Sequence, residues 1–194
     1  MSLEIQTFVP SVKDSQIPLW LSRMAELGML CEIYPAFSFV THSGFVPFKL
    51  QIQDSAHPEL NGVGFLTGFE YYISDFSLDA ALEAKACKPS LLTGEFEEKS
   101  QQGVYASQEI DEQLKPCRKC LHFLWGSADL FELRMATVSA AVLAEITGGI
   151  SFYPADGIWY ERTSAAAKAV SEARDYENLV TSKDIPVHRF ERWS

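Results

Sequence analysis

The sequence predicts an α+β protein: a single globular domain, residues 1–194, on a mainly antiparallel sheet with a long central helix and further helices packed on it. Three observations carry that prediction. Strand-like runs cluster in the middle of the chain instead of alternating strictly with helices, which favours antiparallel pairing over a doubly wound parallel sheet. One helical segment, from Asp129 to Ile146, is apolar around most of its circumference, as a helix lying across a sheet must be. No linker divides the chain, and a domain of this length buries roughly 70% of the surface that its unfolded form exposes.

The first helix is expected over 18–29, with Asp14 or Ser15 as N-cap, Pro18 in the first turn and Gly28 at the end. Trp20, Met24 and Leu27 are spaced i, i+4, i+7 and share its core face. Aromatic and β-branched runs then predict a meander of three strands near 30–34, 45–53 and 65–74, with Asn61-Gly62 and Gly64 in the turn. Pro47 should place the second strand at an edge or a bulge, because proline cannot donate to a ladder. A short helix is expected over 77–86, capped by Asp75 or Ser77 and packing through Leu78, Ala81 and Leu82.

The stretch 88–116 holds Pro89, Gly94 and Gly103 and reads as a long acidic loop with a brief strand at 104–106. A strand over 119–125 follows, then the long helix, ended by Gly148-Gly149. An aromatic hairpin over 150–160 turns through Pro154-Ala155-Asp156-Gly157. Thr163 or Ser164 caps a last helix to about Leu179, and 185–190 closes the sheet as an edge strand. The helices are expected on one face of the sheet.

A formal charge of −10 argues against nucleic acid as a partner, since the grip on phosphates needs clustered Lys and Arg. Half of that charge lies between Gly94 and Glu112, where Glu95, Glu97, Glu98, Glu109, Asp111 and Glu112 face a single base, Lys99. The segment is either a solvated loop or a surface that draws a basic protein partner. No apolar run is long enough for a membrane span, no signal peptide is evident, and four sparse cysteines fit reduced thiols, so the expected location is the cytoplasm.

Cys117-Arg-Lys-Cys120 with His122 has one knuckle of a metal site but no second pair at ligand spacing, so no metal or cofactor is expected. In a strand, Cys117 and Cys120 would point to opposite faces and Cys120 and His122 to one. Gly62-Val-Gly64 is followed by strand-like residues where a dinucleotide loop needs a helix. No nucleophile adjoins any histidine in sequence, which does not exclude a catalytic role, because triads are made by geometry and not by sequence proximity. Glu132 and Arg134, two apart on the long helix, cannot serve one site. Two further possibilities are an aromatic interface at Tyr153 and Trp159, and a ligand pocket between sheet and long helix using His42, His122 and Arg134.

The residues Phe123-Leu-Trp-Gly-Ser127, the Ala-rich helix after them, Leu143-Ala-Glu-Ile-Thr-Gly-Gly149 and Tyr153-Pro-Ala-Asp-Gly157 resemble uncharacterised bacterial proteins. Some of these are similar to immunity proteins, which neutralise a toxin made by a neighbouring gene. The resemblance covers 118–160 and implies a small acidic cytoplasmic protein that binds another protein; it supplies no catalytic residue. The expected function is therefore protein binding through an acidic surface, with a small-molecule enzyme or ligand binder as the alternative.

Overall fold

The structure, a computed structural model, describes residues 2–86, 103–126, 129–181, 185 and 187–193. Its strands are β1 (Ser2–Val9), β2 (Met29–Ile33), β3 (Gly44–Ile52), β4 (Gly64–Asp75), β5 (Lys119–Gly126), β6 (Ile150–Tyr153) and β7 (Ile158–Tyr160). The helices are α1 (Ile17–Glu26), α2 (Leu78–Ala86), α3 (Gln108–Leu114), α4 (Leu130–Thr147) and α5 (Ala165–Glu177). The strands form one sheet in the order β2-β3-β4-β5-β1-β6-β7, every pair antiparallel. The α+β class with a long helix on an antiparallel sheet is as the sequence predicts.

One face of the sheet carries α1, α4 and α5. Alternation sends Ile5, Thr7 and Val9 of β1, Phe65, Phe69 and Tyr71 of β4, and Leu121, Phe123 and Trp125 of β5 to that face, where all are buried. α4 lies in the middle. Asp129 caps it by accepting from the Phe131 and Glu132 amides, and Gly148 ends it in the left-handed region at φ 74°. Phe65 stacks on Phe131 beneath the helix, and Trp20 of α1 donates from Nε1 to the Ser139 carbonyl at 3.2 Å. Thr7 Oγ1 donates to the Ala140 carbonyl at 3.1 Å, so the helix is fastened from the sheet as well.

The helices are not confined to that face. Leu78 and Leu82 of α2 and Ile110 and Leu114 of α3 pack on Phe8, Cys120 and Ile150, which alternation directs to the back of the sheet. Within the stretch expected as a loop over 88–116, α3 takes 108–114 and residues 104–106 form no strand, while 88–102 lie outside the described residues. Ser107 accepts from the Ile110 amide as N-cap, and the Asp111 carboxylate accepts from the amides of Tyr105 (2.7 Å) and Ala106 (3.0 Å). Those amides thus close onto a side chain instead of a ladder.

Four further differences from the expected fold are found. β1, an alternating run not anticipated as a strand, is central, inserted between β5 and β6. β3 is interior in spite of Pro47: β2 has ended at Ile33, and the Pro47 carbonyl accepts from Tyr34 just past its end, so the missing N–H breaks little of the ladder. Cys117 precedes β5 and packs with Cys120 in the same small core, so strand parity does not separate them. Burial pushes the Cys117 thiol up to about 11 and the Cys31 thiol up to about 12. The 185–190 stretch makes one bridge, Phe65 to Arg189, instead of a strand.

Glu132, in the first turn of α4, accepts from the Gly126 amide at 2.8 Å. Burial lifts its carboxyl above the ordinary value, and that hydrogen bond only partly opposes the rise. A carboxyl raised on folding stabilises the fold below its unfolded value, about pH 4.3, and loses that contribution as pH rises through the folded value. Glu132→Gln should therefore raise the Tm at neutral pH, with the gain shrinking toward about pH 4, in thermal unfolding followed by circular dichroism.

Candidate functional site

Among the described residues, helices cover the back of the sheet at one end only. α2 and α3 cap the β5-β1-β6 side. Over β2, β3 and β4, Leu30 (40% exposed), Phe45 (48%), Leu66 (41%) and Tyr72 (39%) face outward, alternating with the buried core residues of the same strands. The solvent face of an antiparallel sheet is normally polar; here four large apolar side chains on three neighbouring strands are exposed, set beside polar cross-strand neighbours, Gln51 beside Leu30, Glu70 beside Phe45, Lys49 beside Leu66 and His122 beside Tyr72. Glu32 pairs with Lys49 at 2.5 Å, and Tyr72 donates its hydroxyl to Glu70. Beneath the Phe45 ring sits Gly68, where a Cβ would lie 2.7 Å from Phe45 Cζ and 2.1 Å from the Val46 carbonyl.

Residues 187–193 run along one margin of this surface. β5 pairs with β4 only from Glu70 to Asp75, which leaves the start of β4 without a partner on that side. The segment fills the gap: the Leu66 amide donates to the His188 carbonyl at 2.6 Å and the Phe190 amide to the Gly64 carbonyl at 3.0 Å. Lys49 Nζ stands over the Phe190 ring, and Trp193 packs edge-on against both Phe190 and Tyr34. An open cleft of about 670 Å³ adjoins it, lined by Glu59, Leu60, Val63, Leu66, His188 and Glu191 among others.

At the border between the capped and open parts lies a polar row. His122 of β5 has Nδ1 at 2.5 Å from Glu4 Oε1 of β1 and Nε2 at 3.0 Å from Ser74 Oγ of β4. A carboxylate only accepts, so Nδ1 is the donor toward Glu4, and Nε2 faces the Ser74 hydroxyl. Hydroxyl, imidazole and carboxylate stand in the order by which a histidine withdraws a nucleophile's proton. Gln6 Nε2 donates to the same Glu4 oxygen at 3.1 Å.

His42, His122 and Arg134, expected to line one pocket, lie apart. His42 contacts the Phe45 carbonyl and the Phe37 ring near the β2–β3 connection, and His122 is on the back of the sheet. Arg134 is buried in α4 on the other side, with Nε 2.8 Å from Glu177 Oε1 of α5 and both side chains 1% exposed. Burial lowers the Arg134 guanidinium and the Glu177 charge opposes that. Glu177 Oε2 also accepts from Ser55 Oγ and the Ala56 amide, and His57 Nε2 lies 3.0 Å from its carbonyl. The space between sheet and α4 is filled by core side chains, among them Phe65, Phe123, Phe131 and Met135.

Trp159 stacks on Phe152 at 4.4 Å in the small core, whereas Tyr153 stacks on Trp125 on the opposite face. Of the acids, Asp111 is turned inward, Glu109 and Glu112 are exposed, and Glu112 pairs with Lys115; Glu95, Glu97 and Glu98 lie outside the described residues. Among the described residues no group of three His, Cys, Asp or Glu is placed to hold a metal. Glu4 and Ser74, missed in the sequence, join His122 only through strand pairing; the alternation that put His122 on an outward face was its one local signal.

Comparison with protein-family models, with curated proteins and with solved structures gives no match.

The ion pair yields a direct expectation. Glu177→Ala strands a buried guanidinium and should cost about 3–5 kcal/mol, while the double variant with Arg134→Met should cost less than the sum of the two single changes. Urea unfolding of the four proteins measures both quantities.

Proposed function

We propose that the protein is a protein-binding module that docks a basic partner on the open back of β2, β3 and β4. The observation that carries this reading is the exposure of Leu30, Phe45, Leu66 and Tyr72 on three neighbouring strands whose other face is buried by helices. The net charge of −10 supports a partner of opposite sign, with exposed Glu109 and Glu112 and the acids at 95–98 adding long-range attraction. The resemblance over 118–160 to immunity-like bacterial proteins fits the same role, in the cytoplasm. The docking area differs from the acidic loop that the sequence suggested, because Asp111 is spent on the local fold.

The test uses immobilised protein, cell extract at low salt, and identification, purification and rebinding of whatever is captured. The purified partner should bind the Leu30→Ser, Phe45→Ser variant at least ten-fold more weakly, and its on-rate to the native chain should fall as salt rises from about 0.05 to 0.5 M. Equal affinity for native and variant chains, or an empty native lane, overturns the reading.

A second reading, hydrolysis of a small activated ester, is favoured by the Ser74–His122–Glu4 row alone. It expects a fluorophosphonate probe to label Ser74 of the folded chain and not of His122→Ala, read by mass spectrometry. An unlabelled Ser74 removes it.

A further inference from the structure

The margin of β4 already holds an extended peptide, and that peptide is the chain's own. Residues 188–193 are His-Arg-Phe-Glu-Arg-Trp: two arginines against one glutamate, with two aromatic rings, in a chain whose net charge is −10. The segment has the opposite charge character to the body it lies on. Its backbone adds to the free start of β4 by one bridge and two hydrogen bonds, and its rings settle on Lys49 and Tyr34. Backbone pairing for affinity combined with side-chain seats for specificity is how sheet edges recognise extended peptides.

We infer that the β4 margin and the adjoining open face receive an extended basic, aromatic segment of a partner protein, and that residues 187–193 occupy this seat in cis until such a segment displaces them. The inference rests on the docking reading and names the chemistry of its partner. Two features of the seat select for that chemistry. β4 offers the Leu66 amide and the Gly64 carbonyl, which only an extended backbone matches together. Tyr34 and the stem of Lys49 present flat and aliphatic surface to aromatic rings. The basic character is that of the resident segment itself, which carries Arg189 and Arg192 on a chain whose net charge is −10. In the cis segment His188, Arg189, Glu191 and Arg192 are exposed and Val187, Phe190 and Trp193 are only half-buried, so displacement breaks little of the fold.

A tethered competitor acts at an effective concentration near millimolar, so its removal should strengthen binding in trans. The probe is a fluorescent peptide of residues 187–193, titrated by anisotropy into the native chain and into a chain ending at residue 186. Binding to the shortened chain at least ten-fold tighter than to the native one is expected, and a peptide with Phe190→Ala and Trp193→Ala should lose it. Should the shortened chain fail to fold, full-length Phe190→Ala, Trp193→Ala frees the same seat and carries the same expectation. No binding to either opened chain, or equal binding to opened and native chains, overturns the inference. Light scattering over a range of concentrations separates the other occupant: a native dimer that the shortened chain does not form places the segment of a second copy in the seat and overturns the partner assignment. If the peptide fails while the captured partner still depends on Leu30 and Phe45, this inference falls and the docking reading stands. If the peptide binds while no partner depends on that face, the docking reading falls.

Discussion

The burial of α4 is the constraint on which the rest of the structure depends. It lies between the sheet and a second layer made of α1 and α5, and eleven of its eighteen residues are buried. At position 134 the helix faces the covering layer and cannot turn a side chain to water, yet it carries an arginine there. Leaving a guanidinium unpaired at that depth would cost several kcal/mol, so an opposite charge must be delivered to it from the covering layer. Glu177 does so from the end of α5, and its second oxygen holds the Ser55 hydroxyl and the Ala56 amide. One carboxylate thereby fixes the long helix, the last helix and the β3–β4 connection in register. Arg174 with Asp54 repeats that link at the surface, where screening by water makes it worth far less.

Because that face carries the three longer helices α1, α4 and α5, the back of the sheet has α2 and α3 as its helical cover among the described residues. These short helices reach the β5-β1-β6 end and no further, which sets the border where Ser74, His122 and Glu4 meet and beyond which Leu30, Phe45, Leu66 and Tyr72 stay exposed. The unequal pairing of the long β4 adds the second opening. β3 pairs with Gly64–Tyr71 on one side and β5 with Glu70–Asp75 on the other, so the first half of β4 has an unpaired margin in the interior of the sheet order. An exposed margin is a hazard for aggregation. Residues 188–190 blunt it.

Much of this was legible in sequence where the deciding interaction is local. Asp129 and Gly148 bound α4, Ser164 opens α5, and Asp156-Gly157 turns the last hairpin, with Gly157 at φ 67°. The β2-β3-β4 meander follows from alternation and turn residues. What escaped depends on distant partners. Leu3, Ile5, Thr7 and Val9 alternate with Glu4 and Gln6, but only the topology makes β1 central. Pro47 forbids a ladder bond only where a neighbouring strand is present to receive it, and that depends on where β2 stops. The acids at 109–112 read as a solvated cluster, although Ser107 ahead of them is an N-cap signal and Asp111 closes onto the Tyr105 and Ala106 amides. The polar row joins residues 48 and 118 positions apart, so no local window contains it.

The two openings on the back face favour recognition over chemistry for a geometric reason. A nucleophilic serine needs, besides its base, donors aimed at the charge that develops during attack and a site that excludes water. The only side-chain hydrogen bond of Ser74 among the described residues is to His122 itself, and the serine is exposed on an open sheet. Such a row orients groups without enclosing a substrate. The apolar surface beside it has the complementary shortage: shape and area without an occupant. A docked chain would meet the need of that surface directly, covering Phe45 and Leu66 and extending the pairing of β4. It would also lie beside Ser74, His122 and Glu4, whose fixed donors and acceptors would then read polar groups of the partner. In the proposed docked complex the same three residues would serve as specificity contacts, with no demand for the enclosure that catalysis requires.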